Sequence, residues 1–393
     1  MMGGLLAALA CAAVVQSSGP DLVLRAGEPA PSGSVLAIVP EGVVVGSGVT
    51  APVIIGWERV REVRGEHATE AEQFAEVADM AWRAAARLGR GDVPAAEPLF
   101  ERLFATYQER GGPTAAAVCE GLLRCRLRRS AHTLATGAWL AWLNARTPGD
   151  GPQWYRARAD AGESVAEFPI DEATGLLPDL PPIWLDLPSV AAFAGAPPEA
   201  GGFGRRERDL AALYVHAARL ATGSAGPMPE VASGDEAVRL VWDLVAAQSA
   251  DEQERASGAR ALRARLERGP VGWEDAWVRT ALARSLLLGG APEDRERGVI
   301  ELLRVRVLHG RDCPYLAGLA LAEAAVALAE LGDARGGSAM RREFLDRFPG
   351  HPAASWERIL VWPHDAGRSG GAAALNPAQP GSPISLESRA ANG

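Results

Sequence analysis

Residues 328–354, "LAELGDARGGSAMRREFLDRFPGHPAA", read as the end of one helix, a Gly-Asp turn, a second helix and a Pro-Gly stop. Such a hairpin cannot bury its own apolar face, so it needs neighbours. The same scheme stands near the other end of the chain, in "AWRAAARLGRGDVPAAEPLFERLF" at 81–104. Each copy has a small residue in the middle of its first helix (Ala84, Ala325), Gly-Asp at the turn (Gly91-Asp92, Gly332-Asp333) and a small residue early in its second helix (Ala96, Gly337).

Both stretches resemble tetratricopeptide repeats. In that family small residues let paired helices approach closely, and stacking covers the faces that single hairpins leave bare. The first copy keeps the Ala-x3-Phe step (Ala96, Phe100) and the second keeps the terminal Pro349; Arg341 and Phe344 depart from the pattern. Further helices read between them, at 113–129, 131–145 and 205–222. Ser233 with Glu236, Ser249 with Glu252 and Thr69 with Glu72 are spaced as capping boxes. "WEDAWVRTALARSLLLGG" and "DRERGVIELLRVRVL" make another hairpin. The expectation is a mainly α chain, an α-solenoid of roughly five to seven hairpins over 67–166 and 205–360.

Residues 21–65 have a different texture, with five short Val- and Ile-rich runs separated by Gly, Pro and Ser. The closing "IIGWERVREV" resembles the end of SH3-like or Sm-like small barrels, which implies a small β-barrel or curled sheet. Trp57 is the only aromatic residue in this region. Peptide-binding SH3 grooves and nucleotide-binding barrels need several aromatics, so a capping or docking module with Trp57 as its core is expected.

Three segments lie outside this scheme. Residues 1–18 hold a short apolar run followed by small and polar residues, the order of a signal peptide, although the positive n-region is missing. Ala8-Leu9-Ala10-Cys11 resembles a bacterial lipoprotein box with its Leu one place late, which leaves a lipid anchor at Cys11 as the minority alternative. Residues 363–393 are Gly, Ala, Pro and Ser, the composition of a disordered tail. Residues 167–204, "EFPIDEATGLLPDLPPIWLDLPSVAAFAGAPPEAGGFG", are too proline-rich for helix and too apolar for a solvated linker. Leu176, Leu177, Leu180, Ile183, Trp184, Leu185 and Leu187 would expose a large apolar strip, so the segment must dock. It serves either as a crossover between two helical halves or as a built-in ligand of the solenoid's concave groove.

Composition excludes several chemistries. Every one of the 40 basic residues is Arg, so Walker loops, Schiff bases and kinase-type sites lack their lysine. A net charge of -9 disfavours nucleic acid. Cys119 and Cys125 are six residues apart, about 9 Å along one helix, and cannot bridge; buried free thiols are expected. The six His residues are scattered without metal-binding spacing, and no glycine fingerprint implies a dinucleotide cofactor. Gly367-Arg368-Ser369-Gly370-Gly371 matches a nucleophile-elbow string but stands in the tail. No other stretch is long and apolar enough to span a membrane.

What remains is an exported, non-catalytic protein-interaction scaffold, periplasmic or secreted, that binds an envelope protein or peptide on the concave face. Trp184, Trp273 and Trp277 are candidate binding residues. The competing reading is a secreted helical-toroid polysaccharide hydrolase or lyase, with Glu274 or Asp275 as acid or base beside Trp273 and Trp277.

Overall fold

The computed structural model describes residues 21–47, 51–146, 170–171, 173–197 and 200–362. The signal segment with Cys11, residues 147–169, and the tail with its Gly367–Gly371 string lie outside them. The chain is mainly α. After a short α1 (Ala68–Glu72) come α2 (Ala75–Gly89), α3 (Val93–Tyr107), α4 (Pro113–Arg128) and α5 (His132–Ala145). Then follow α6 (Pro188–Gly195), α7 (Arg205–Ala221), α8 (Glu236–Ala246), α9 (Glu252–Glu267) and α10 (Trp273–Leu287). Last are α11 (Pro292–His309), α12 (Pro314–Glu330), α13 (Ala334–Arg347) and α14 (Glu357–Leu360). From α2 to α13 each helix packs on the next, except that α5 meets both α6 and α7. Alternate helices also touch, α2 on α4, α8 on α10 and α10 on α12. This is the packing of hairpins stacked in succession.

The Gly-Asp turn works the same way in both copies. Gly91 and Gly332 take φ of 80° and 92°, the left-handed region that ends a helix. The next backbone N–H reaches back to close the final turn, Asp92 to Arg87 O at 3.0 Å and Asp333 to Leu328 O at 2.9 Å. The Asp carboxylates then cap the following helix by accepting from the N–H of Ala95 and Gly336.

The expected capping boxes shift. Asp235 and Asp251 are the N-caps of α8 and α9, while the Ser233 and Ser249 hydroxyls accept from the N–H of those aspartates. A carboxylate gains from the positive end of the helix dipole as well as from the hydrogen bond, so it displaces the serine. Thr69 lies inside α1, and no side chain caps that helix.

Where the paired helices cross, the second carries a residue with little or no side chain. A Cβ at Gly258 would sit 2.4 Å from Ala247 N, one at Gly298 2.9 Å from Ala283 O, and one at Gly337 2.8 Å from Ala325 O. Ala96 and Ala84, both fully buried, fill these roles in the first hairpin.

The β module has strands β1 (Leu22–Leu24), β2 (Ser34–Val39), β3 (Gly42–Gly46), β4 (Val53–Ile55) and β5 (Val60–Val63). They form two antiparallel sheets, β1–β5 and β2–β3–β4. Among the described residues no ladder joins the two, so of the expected barrel or curled sheet the open form is found and the closed barrel is not. Ala71 and Ala78 share its core, with Phe74 packed against it, so helix takes the place of closing strands. Trp57 is buried at the centre, stacked on Phe74 at 4.7 Å, with its indole N–H donated to Val39 O. The module docks on the helices through polar contacts. Thr114 Oγ1 accepts from Trp57 N at 2.9 Å and donates to Glu41 O at 2.8 Å, and Tyr107 OH donates to Pro40 O.

Glu58 is buried beside this junction, and its Oε2 has no hydrogen-bond partner. Desolvation raises its pKa to about 7.

Two predictions follow from the crossings and the buried acid. Gly258→Ala gains about 1 kcal/mol in helix propensity but overpacks a backbone contact, which costs about 1–3 kcal/mol. A net loss of stability is expected in urea unfolding. Glu58 keeps its proton when folded between pH ~4.5 and ~7, where the unfolded chain has lost it, so stability falls as pH rises through that window. Glu58→Gln should therefore leave stability unchanged near pH 4 and raise it by about 3 kcal/mol at pH 8; equal effects at both pH values would refute this.

Candidate functional site

Residues 174–187 run through the middle of the helical array. Leu176, Leu177, Leu180 and Ile183 are fully buried and Trp184 is 2% exposed. Each such side chain contributes about 1.5–3 kcal/mol of burial, so the strand is a major part of the core. An irregular strand in a core carries backbone groups that no ladder satisfies. Pro178, Pro181 and Pro182 have no N–H, which removes three donors in advance.

The carbonyls are met by side chains from the helices around the strand. Trp277 Nε1 donates to Pro178 O at 3.0 Å, Tyr214 OH to Leu180 O at 2.6 Å, Gln248 Nε2 to Pro182 O at 3.2 Å and Arg284 to Trp184 O at 2.7 Å. Arg206 donates to Thr174 O, Trp139 to Gly175 O and Tyr315 OH to Ile183 O. These donors stand on α5, α7, α10 and α12 and just after α8. Their sides facing the strand form the inner face of the array.

Arg284 also donates to Gln248 Oε1 at 2.9 Å and pairs with Glu323, so one guanidinium on α10 joins the segment to the turn after α8 and to α12. Tyr315, at the start of α12, closes the ring of contacts. Its aromatic ring lies 4.1 Å from that of His132, at the start of α5, and 5.0 Å from that of His351, beyond α13. His351 Nδ1 accepts from Ala353 N at 3.0 Å and its Nε2 donates to Tyr315 O at 2.8 Å, the pattern of a neutral ring. Burial lowers the pKa of both histidines to about 4.

Of the expected binding residues, Trp184 belongs to the buried strand and Trp277 holds it. Trp273 is half-buried and packs edge-on against Trp277 at 4.9 Å. Asp275 is 7% exposed, with one carboxylate oxygen 2.7 Å from Arg279 and 2.6 Å from His309. Arg279 also pairs with Glu301, so this cluster ties α10 to α11. Glu274 is held by Arg265 at 2.9 Å. Cys119, Cys125 and Cys313 are buried free thiols, and burial pushes Cys125 and Cys313 up to about 12. Among the described residues no three His, Cys, Asp or Glu side chains are placed to hold a metal, and no helix is long and apolar enough to cross a membrane.

Two cavities open on the surface, one beside the β module and one at the start of the buried segment, where Thr174 and Gly175 line it. One of about 530 Å³ is lined by Asp21, Ala26, Pro29, Val35 and Arg61, and one of about 420 Å³ by Asn144, Arg146, Gly204, Arg206 and Asp235. In the second, Arg206 is already engaged by Thr174 O, Glu207 and Asp235. The inner face has the stronger geometry, with several directed donors on one main chain. No family model, curated protein or solved structure matches the chain.

The sequence reading found the strand but missed Trp139, Tyr214, Gln248, Arg284 and Tyr315. A signal was present: Tyr214 and Tyr315 are two of only four tyrosines, each set among aliphatic residues of a helix.

The two depressed histidines make stability depend on acid. The unfolded chain binds protons at these rings below pH ~6.5 while the folded chain refuses them until about 4, so stability falls as pH drops through that window. His351→Gln should reduce the slope of unfolding free energy against pH by about 1.4 kcal/mol per unit between pH 6 and 4.5. An unchanged slope in denaturant titrations would contradict the assignment.

Proposed function

We propose that the protein is a non-catalytic interaction scaffold of the bacterial cell envelope, whose helical hairpins are akin to tetratricopeptide repeats and whose inner face holds peptide. One observation carries this reading: side chains from several helices converge on the main-chain carbonyls of an irregular, proline-containing segment. Main-chain hydrogen bonds with pockets for apolar side chains are one way in which peptides are recognised. The repeated Gly-Asp turn and the small residues at the crossings support the repeat kinship. Gly258, Gly298 and Gly337 recur at intervals of 40 and 39 residues, against about 34 in a tetratricopeptide repeat, so the kinship is a distant one. The apolar opening "MMGGLLAALACAAVV" supports export.

The carbohydrate-enzyme alternative requires an acid free to reach a sugar. Asp275 and Glu274 are instead engaged by Arg279, His309 and Arg265.

The test has two arms. Immobilised protein is challenged with envelope extract, and any captured protein is purified and titrated back by calorimetry. The same protein is assayed for release of reducing ends or unsaturated sugars from a polysaccharide panel. A saturable partner with no turnover is expected. Cleavage that disappears in Glu274→Gln or Asp275→Asn would replace the scaffold with the enzyme.

A further inference from the structure

We propose that the inner face is a binding site for a leucine- and proline-rich peptide without regular secondary structure, that residues 174–187 are its resident ligand, and that it accepts the same sequence supplied in trans. This rests on the scaffold reading and deepens it by naming the ligand's chemistry.

The helices read the strand through its carbonyls. Trp277, Tyr214, Gln248 and Arg284 all donate, and the backbone N–H of Leu180 bonds within the segment, to Leu177 O. Recognition of this kind suits a chain in which proline deletes donors at Pro178, Pro181 and Pro182. Specificity comes from pockets that bury Leu176, Leu177, Leu180 and Ile183 completely. The strand brings no ion pair to the inner face. The charges behind it are matched without it, Arg284 by Glu323, so the face keeps its charge balance when the strand leaves.

In the intact chain the strand is tethered at both ends, and the effective concentration of about millimolar that a tether gives keeps free peptide out. Cutting the tethers removes that advantage. Ala173 and Ala196, which flank the strand and α6, are both exposed.

The experiment uses the full chain with specific protease sites introduced after Ala173 and after Ala196, cut to completion. A fluorescent synthetic peptide of residues 174–196 is then added. Scrambled peptide and peptide carrying Leu180→Asp with Ile183→Asp serve as controls, and anisotropy and circular dichroism are the readouts. The labelled peptide is expected to exchange into the cut protein and to be competed by unlabelled copy. The double-Asp peptide should bind about 100-fold more weakly or worse, since two buried apolar contacts are lost and two charges are buried. If cutting unfolds the protein, excess peptide should restore its helical signal.

A cut protein that keeps its strand but never exchanges it, even after a denaturant pulse, overturns the proposal. So does one that unfolds without rescue, or one that binds scrambled peptide equally. Exchange without any envelope partner would leave this inference standing while removing the scaffold function.

Discussion

Backbone buried outside helix or sheet must find partners for every N–H and C=O, because each group left bare costs about 1–3 kcal/mol. Residues 174–184 cross the array under that constraint, and much of the surrounding architecture answers it. Prolines delete three donors. A local turn, Leu180 N to Leu177 O at 2.8 Å, satisfies another. Seven carbonyls, those of Thr174, Gly175, Pro178, Leu180, Pro182, Ile183 and Trp184, are reached by indole, phenol, amide and guanidinium groups of the helices. The helices pay in composition for this arrangement, carrying Trp139, Tyr214, Trp277, Arg284 and Tyr315 where a plain stack of hairpins is content with Ala and Leu. Burial follows the same logic. From Tyr315 to Ala327, α12 is buried without a break, covered by its neighbours and by the strand, whereas α13 buries only Gly337 and Phe344.

The absence of lysine has a structural counterpart here. Arg284 binds Trp184 O, Gln248 and Glu323 at once, Arg265 binds Glu236 and Glu274, and Arg279 binds Asp275 and Glu301. A planar fork with five donors can bridge two or three acceptors in fixed directions, and an ammonium presents a compact point charge instead. Half-buried carboxylates such as Glu301 and nearly buried ones such as Asp275 and Glu323 are thereby matched inside the stack. An unmatched charge at these depths would cost several kcal/mol.

Local rules were the legible part of the sequence. Helices at 113–128, 132–145 and 205–221 stand within a residue of their expected bounds, because turns, prolines and apolar periodicity act over a few residues. Trp57 was readable as the core of the β module for the same reason. Errors arose where two local candidates competed, as Ser233 and Ser249 did against aspartates two residues on. Long-range pairing was not legible. Arg284 and Trp184 O are 100 residues apart, and His309 and Asp275 are 34 apart. The strand itself could be placed in the interior because its apolar content allowed nowhere else, but which helices would receive it depended on how the stack curves back on itself.

The start of α5 and the start of α12 meet at Tyr315. Stacking hairpins in a row leaves both ends free, and nothing in the repeat scheme brings α5 near α12. The strand supplies the reason for them to meet. It touches α5 through Gly175 and α12 through Ile183, and its buried leucines are shielded from water only if both helices close over it. His132, Tyr315 and His351 stack across that closure as neutral rings, which a desolvated position favours over charged ones. The segment therefore contacts both helices at that closure, so its burial and the packing of α5 and α12 over it are one arrangement rather than two.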